Sequence, residues 1–313
     1  MKLTILGGGA WGTTLAQLAQ QAGHTAHVWL RSESLAEALV GVDCIFSALP
    51  MKAVREMAHR MQAESFYKPG TLLVSATKGL DLESEKAEAS RAPLKTASQV
   101  WEYCCPSLTV AALSGPNLAT EIAQGLPCAT VVAHPDPAIS ARVQQILAQE
   151  RFRVYTSSDR MGVELGGALK NVIAIAAGVS DGLGLGTNAK AALVTRGLAE
   201  IVRVGVYLNG QLETFYGLSG LGDLLATCNS SLSRNYRVGF SLGKGQPLSE
   251  ILAQLQGTAE GLNSAQVLSQ YSACLGLNTP ITDQVTALAQ GRTKPAAALK
   301  ALMERSLKPE QLV

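Results

Sequence analysis

A glycine signature sits directly behind the apolar run at residues 3–6. The chain opens KLTILGGGAWG, with Gly7, Gly9 and Gly12 in the spacing G-x-G-x-x-G. Residues 13–21 continue with the pattern of a helix, and Gly23 is placed to end it. Strand, glycine turn and helix in that order constrain this stretch to a dinucleotide-binding unit. Gly7 permits the tight turn, Gly9 admits a pyrophosphate to the backbone, and Gly12 lets helix and strand approach. The helix N-terminus adds unpaired N–H groups and a positive dipole end for phosphates. An ordinary glycine-rich turn shares the spacing, so the remaining chain has to decide.

The first half alternates strands and helices. Apolar runs at residues 26–30, 44–49, 72–76, 109–113 and 129–133 are short and bounded by turns, which suits buried parallel strands. A further strand is expected at residues 152–156. From residue 159 the character changes to long Ala/Leu/Val-rich segments, and 159–178, 189–208 and 264–272 read as helices. The expected fold class is an α/β Rossmann-type domain, doubly wound and mainly parallel, over residues 1–157. An all-α domain over residues 158–313 follows it. Residues 81–102 are polar and read as a helix and loop on the surface.

Composition narrows the function classes. Net charge is +2 with no basic cluster, which speaks against nucleic acid. No uninterrupted apolar run reaches the ~18 residues of a membrane span, and the N-terminal residues carry a strand in place of a secretory signal. Six scattered cysteines without a CxxC pair, and four histidines without a cluster, imply reduced thiols, a cytoplasmic location and no metal site.

Several side chains stand out against this background. Arg31 follows the second strand, where an NAD enzyme holds an acidic residue against the ribose 2′-hydroxyl. A guanidinium there can grip a 2′-phosphate, so NADP is accepted alongside NAD. Lys78, in SATKGL, lies just past the carboxyl end of a strand, the edge at which open α/β sheets bind ligands. The loop Ser114-Gly115-Pro116-Asn117 also follows a strand. The strongest catalytic signal is Lys170-Asn171: from residue 165 to 179 every other residue is apolar or glycine. A helix apolar nearly all round is buried, and burial lowers a lysine pKa toward the range useful for proton transfer. A structural buried ion pair is the competing reading. Asp223 sits in a glycine-flanked apolar setting and needs a cation, and Thr227 follows one helical turn on. Ser233, Arg234 and Asn235 form a compact donor set for a phosphate or, equally, a helix cap. Glu260 is a charged residue beside Gly261.

Taken together, GGGAWGTTLA, SATKGL, LSGPNLATEIA, LKNVIAIAAGVSDGLGLGTNAKAALVTRGLAEI and GLSGLGDLLATCNSSLSRNYRVG resemble the NAD(P)-dependent glycerol-3-phosphate dehydrogenases of the bacterial type. The resemblance implies that Lys170 donates and accepts the proton while Asp223 supports its charge. It implies substrate contacts from Lys78, Gly115, Asn171, Thr227, Ser233, Arg234 and Asn235. It also implies that Ala10, Trp11, Arg31, Lys78, Ala119, Arg234 and Glu260 line the cofactor together with the three glycines. A small phosphate substrate, a helical second domain and a homodimer belong to the same expectation. Phosphogluconate-type hydroxyacid dehydrogenases share a helix lysine near an asparagine and stand as the rival, as does a non-catalytic nucleotide sensor.

Two departures from the resemblance carry expectations of their own. Members of the family have a further segment and a third strand after the position of Arg31. Here only the ten residues Ser32 to Gly41 separate Arg31 from Val42. They fit one short helix, capped by Ser34, with Leu35, Ala38 and Leu39 on its apolar face and Gly41 at its end. The third edge strand should therefore be missing, and the strand at 26–30 should form the sheet edge. In TAEGLNSA, Thr258 and Asn263 replace a valine-rich, arginine-containing version, which leaves Thr258 outside the expected cofactor contacts.

Overall fold

The computed structural model describes residues 1–64, 67–82, 94–255, 257–306 and 309–310. Among the described residues there are nine strands: β1 (Lys2–Leu6), β2 (Thr25–Trp29), β3 (Cys44–Ser47), β4 (Leu72–Ser75), β5 (Leu80–Leu82), β6 (Leu94–Thr96), β7 (Thr109–Ser114), β8 (Cys128–Ala133) and β9 (Phe152–Ser157). Helices α1 (Ala10–Gln21), α2 (Leu35–Leu39), α3 (Met51–Glu64), α4 (Ala97–Cys104), α5 (Ala119–Ala123) and α6 (Pro137–Leu147) are interleaved with them. Helices then follow one another: α7 (Arg160–Gly182), α8 (Gly186–Tyr207), α9 (Leu212–Tyr216), α10 (Asp223–Cys228), α11 (Arg234–Gly243), α12 (Leu248–Gln254), α13 (Glu260–Leu275), α14 (Pro280–Ala289) and α15 (Pro295–Met303).

Seven strands form one sheet in the order β2-β1-β3-β4-β7-β8-β9. Leu15, Leu18, Val143 and Ile146 cover one face, and Leu39, Val54, Met61 and Trp101 cover the other. The order reverses at β1, between β2 and β3, which opens a crevice at the carboxyl ends of those strands. The N-terminus of α1 faces that crevice. β2 pairs only with β1 among the described residues, so it is the sheet edge. The ten residues beyond it fold as expected: Ser34 accepts from the Glu37 N–H, Leu35, Ala38 and Leu39 are buried, and Gly41 turns the chain at φ +67°.

Two expectations need correction. β8 runs antiparallel to β7, with Ala112 opposite Ala133, so the sheet is parallel at all its pairings but this one. The described residues at the two ends of the stretch 81–102 do not form a polar surface helix and loop. Leu80–Leu82 pairs antiparallel with Leu94–Thr96, and α4 buries Trp101 completely. Residues 83–93 of that stretch lie outside the described residues.

In the helical half, α7 is the central element. Its length and apolarity would allow a membrane crossing, but its apolar window is wholly buried among the surrounding helices. Glycines bring α11 onto it. A Cβ on Gly178 would lie 2.1 Å from the Tyr236 carbonyl oxygen, and one on Gly239 would lie 1.9 Å from that of Ile175. Only bare backbones can approach so closely, and that approach sets the N-terminus of α11 beside Asn171.

Candidate functional site

Lys170 is 6% exposed on α7 and Asp223 is 1% exposed at the start of α10. Their charges meet at 2.8 Å, Lys170 Nζ to Asp223 Oδ1. A second cation, which the sequence did not pair with this carboxylate, completes the cluster: Lys78 Nζ donates to Asp223 Oδ2 at 2.6 Å. Thr227 locks the arrangement, accepting from Lys170 Nζ at 2.6 Å and donating to Asp223 Oδ1 at 3.1 Å. Lys78 also donates to the Gly115 carbonyl at 2.7 Å. An ammonium carries three donors. Each lysine therefore keeps one N–H beyond its two hydrogen bonds, and two cations share one anion.

The electrostatics follow from burial and this pairing. Burial pushes the Lys170 ammonium below the usual lysine range, against the pull of Asp223, while the Lys78 charge pushes it further down. Burial alone would raise the Asp223 carboxyl, but Lys170 and Lys78 hold it below the ordinary carboxylate range.

Local folding explains how these groups converge. A π-helical segment, Leu218–Gly222, immediately precedes Asp223 and packs against α7, where a Cβ on Gly166 would meet the Ser219 carbonyl oxygen at 2.7 Å. Gly115 adopts φ +140°, which turns the chain after β7 so that its carbonyl faces Lys78. Asn171 donates to the carbonyls of Lys78, at 3.1 Å, and Gly167. Its Oδ1 accepts from Asn235 Nδ2 at 2.9 Å, and Asn235 Oδ1 accepts from the Gly261 N–H at 2.9 Å. This chain of amides ties the loop after β4 to α7, α11 and α13 around the lysines.

The remaining phosphate candidates lie at the start of α11. Ser233 is its N-cap and accepts from the Tyr236 N–H at 3.2 Å, leaving its hydroxyl proton free to donate. Arg234 spends one donor on the Thr258 carbonyl, so Thr258 touches the site through its backbone. Asn263, the other departure in this segment, donates to the Leu80 carbonyl at 2.8 Å and holds α13 against β5.

On the sheet side, the glycine turn has the form a pyrophosphate requires. Gly7 adopts φ +114°, and a Cβ on Gly12 would lie 1.9 Å from the Gly7 carbonyl oxygen. A Cβ on Gly9 would meet nothing within 4 Å, and no side chain caps α1 there. Ala10 is exposed in the first turn, and Trp11 Nε1 is buried without a hydrogen-bond partner. The Ala119 carbonyl, at the start of α5, accepts from Thr14 of α1, and Arg31 is exposed past the end of β2. Glu260, at the start of α13, accepts from the Met51 N–H at 3.3 Å. Its other carboxylate oxygen is buried and unpartnered, and burial pushes its pKa up. These residues fit a nicotinamide dinucleotide: an uncapped helix end and a bare glycine cradle take the phosphates.

Sequence reasoning read the loop Ser114-Gly115-Pro116-Asn117 as presenting backbone to a ligand and gave the Ser114 side chain no role. Its hydroxyl is buried without a partner, and a Cβ on Gly167 would come within 2.3 Å of it and 3.5 Å of the Lys78 side chain. A serine at a strand end has no periodic signal to reveal it.

Comparison with known proteins finds relatives along nearly the whole chain. The family model for the NAD-dependent glycerol-3-phosphate dehydrogenase C-terminus matches residues 159–300, and that for the N-terminus matches residues 2–40 and 32–140. The glycerol-3-phosphate dehydrogenase [NAD(P)+] of Gloeobacter violaceus is 55% identical over 312 residues, covering 99% of both chains. That of Trichormus variabilis is 55% identical over 310 residues, covering 98% of both. The crystal structure of glycerol-3-phosphate dehydrogenase from Coxiella burnetii superposes with a TM-score of 0.87 at 33% identity, covering 97% of this chain and 99% of that one.

Proposed function

The chain belongs to the NAD-dependent glycerol-3-phosphate dehydrogenase family, and from that membership we propose how its residues divide the work. It is an NAD(P)-dependent oxidoreductase that interconverts dihydroxyacetone phosphate and sn-glycerol 3-phosphate, the backbone of glycerophospholipids. Bound NAD(P)H supplies the hydride that reduces the central carbonyl carbon.

The observation that carries the assignment of roles is the pair of ammonium groups on one buried carboxylate. Lys170 gives the proton to the oxygen of the reduced carbonyl and removes it in the reverse direction. Lys78, with its own remaining N–H, stabilises the charge that develops on that oxygen. Fixed cations in a buried site act without reorganisation at the moment of reaction. Asp223 and Thr227 orient Lys170. Gly115, Asn171, Ser233, Arg234 and Asn235 form the substrate side, with Asn171 and Asn235 acting through the amide chain that holds Lys78. The phosphate lies away from the reacting carbon, so its binding energy can hold the carbonyl in a reactive pose. Gly7, Gly9, Ala10, Trp11, Gly12, Arg31, Ala119 and Glu260 form the cofactor side. We place the division between the two domains at residues 157 and 158. From family membership alone we also propose a cytoplasmic homodimer. Light scattering and cell fractionation check the two halves of that statement.

Arg234→Ala tests the phosphate end. A lost charge-assisted hydrogen bond is expected to lower kcat/KM for dihydroxyacetone phosphate by about 1.5–3 kcal/mol, roughly ten- to a hundredfold, chiefly through KM. An unaltered kcat/KM removes Arg234 from the site. Arg31→Asp tests the cofactor end. The new carboxylate repels a 2′-phosphate and can accept from a 2′-hydroxyl, so the kcat/KM ratio of NADPH to NADH should fall. An unchanged ratio would show that Arg31 does not read the ribose.

A further inference from the structure

α7 has a second working face. At 3.6 residues per turn, Lys170 and Asn171 look to one side of the helix, whereas Ala176, Val179, Ser180 and Leu183 look to the other. That other side opens into a cavity of about 810 Å³, closed further by α8, α14 and α15. Its lining on α8 runs from Ala189 to Arg203, about 21 Å at 1.5 Å per residue, so it is elongated.

One feature marks it as a ligand site. Toward one end, two guanidinium groups converge at the surface on one asparagine: Arg203 Nη1 donates to the Asn278 carbonyl at 2.8 Å and Arg305 Nη2 to Asn278 Oδ1 at 2.9 Å. Arg196 lines the cavity as well. Two carboxylates do so too. Glu200 is buried, and its oxygens are taken up by the N–H groups of Ile281 and Thr282 and by the Thr282 hydroxyl. Glu310 is an exposed lining residue, and the three lining arginines outnumber the two carboxylates. With Glu200 committed, the cavity offers binding in place of chemistry.

We propose that this cavity binds one free single-chain fatty carboxylate, its tail along α7 and α8 and its head group on Arg203 and Arg305. Charge and shape select this occupant: the walls are apolar over most of their length, and the polar end is cationic. An alkyl cation of the same length would meet three guanidinium groups, with the exposed Glu310 carboxylate as its counter-charge. The site lies on the helix that carries Lys170 and uses none of the residues assigned to substrate or cofactor.

Titration calorimetry with sodium laurate, kept below its micelle concentration, tests the proposal. Dodecylamine serves as the charge-reversed probe. The expected result is saturable binding of one laurate per chain and none of dodecylamine. The double variant Arg203→Ala/Arg305→Ala should weaken laurate binding at least about tenfold, since charge-assisted hydrogen bonds are lost. Ala192→Trp, on an exposed lining residue of α8, should block binding while dehydrogenase activity stays at the wild-type level. Absence of laurate binding overturns the proposal, as does equal affinity for dodecylamine or binding that neither variant alters. It is also overturned if light scattering shows a dimer that Ala192→Trp dissociates, because the face then belongs to a second copy.

Discussion

Lys170→Met is expected to lower kcat by roughly 10²–10⁴-fold or more, the usual cost of losing a positioned acid–base group. NADPH binding should stay nearly intact. The fold should tolerate the change for a specific reason: Asp223 keeps Lys78 at 2.6 Å, so its carboxylate is not left buried without a cation. Methionine fills a similar volume, and apart from Asn171 the helix is apolar at this level. Steady-state kinetics with dihydroxyacetone phosphate, beside a fluorescence titration with NADPH, separates the two effects. A variant that keeps more than about a tenth of the wild-type kcat would sink the role assigned to Lys170.

The same residue shows why part of this site can be read without a structure. A lone lysine inside a long apolar stretch must be buried, and a buried lysine needs a partner, so the chemistry follows from the pattern. The missing edge strand was legible on similar grounds, because ten residues leave room for one short helix and nothing more. The partner of Asp223 was only half legible. Lys78 lies 145 residues away and reaches the carboxylate only once β4 and the π-helical segment are packed against α7. The direction of β8 was hidden because an apolar run has period but no polarity. Trp101 was misjudged with its polar neighbours, since the helix that buries it begins at a capping box on Thr96, inside a stretch whose composition suggested surface. The amide chain through Asn171, Asn235 and Gly261 joins three helices, and no local pattern encodes such a meeting.

Asp223→Asn should act on rate, pH dependence and stability together. Removing the carboxylate leaves two ammonium groups, Lys170 and Lys78, facing each other with side chains only 7% and 16% exposed. The Lys170 pKa, already lowered by burial, must fall further, because the attraction opposing that shift is gone. In glycerol 3-phosphate oxidation the base form is required, so the acidic limb of the pH–rate profile should move to lower pH. In the reduction direction the acid form is required, so the alkaline limb should move to lower pH as well. The maximal rate should drop in both directions as Lys170 loses its orientation. For stability, the folded carboxyl of Asp223 lies below its unfolded value. Its contribution is therefore present above the unfolded pKa and is lost as pH falls through the folded one. The variant should lack that acid-side dependence and be less stable near neutrality by on the order of 3 kcal/mol, the scale for breaking a buried ion pair. Urea titrations across pH, beside the two pH–rate profiles, measure all of this. Unshifted limbs in a folded variant would show that Asp223 does not set the charge of Lys170.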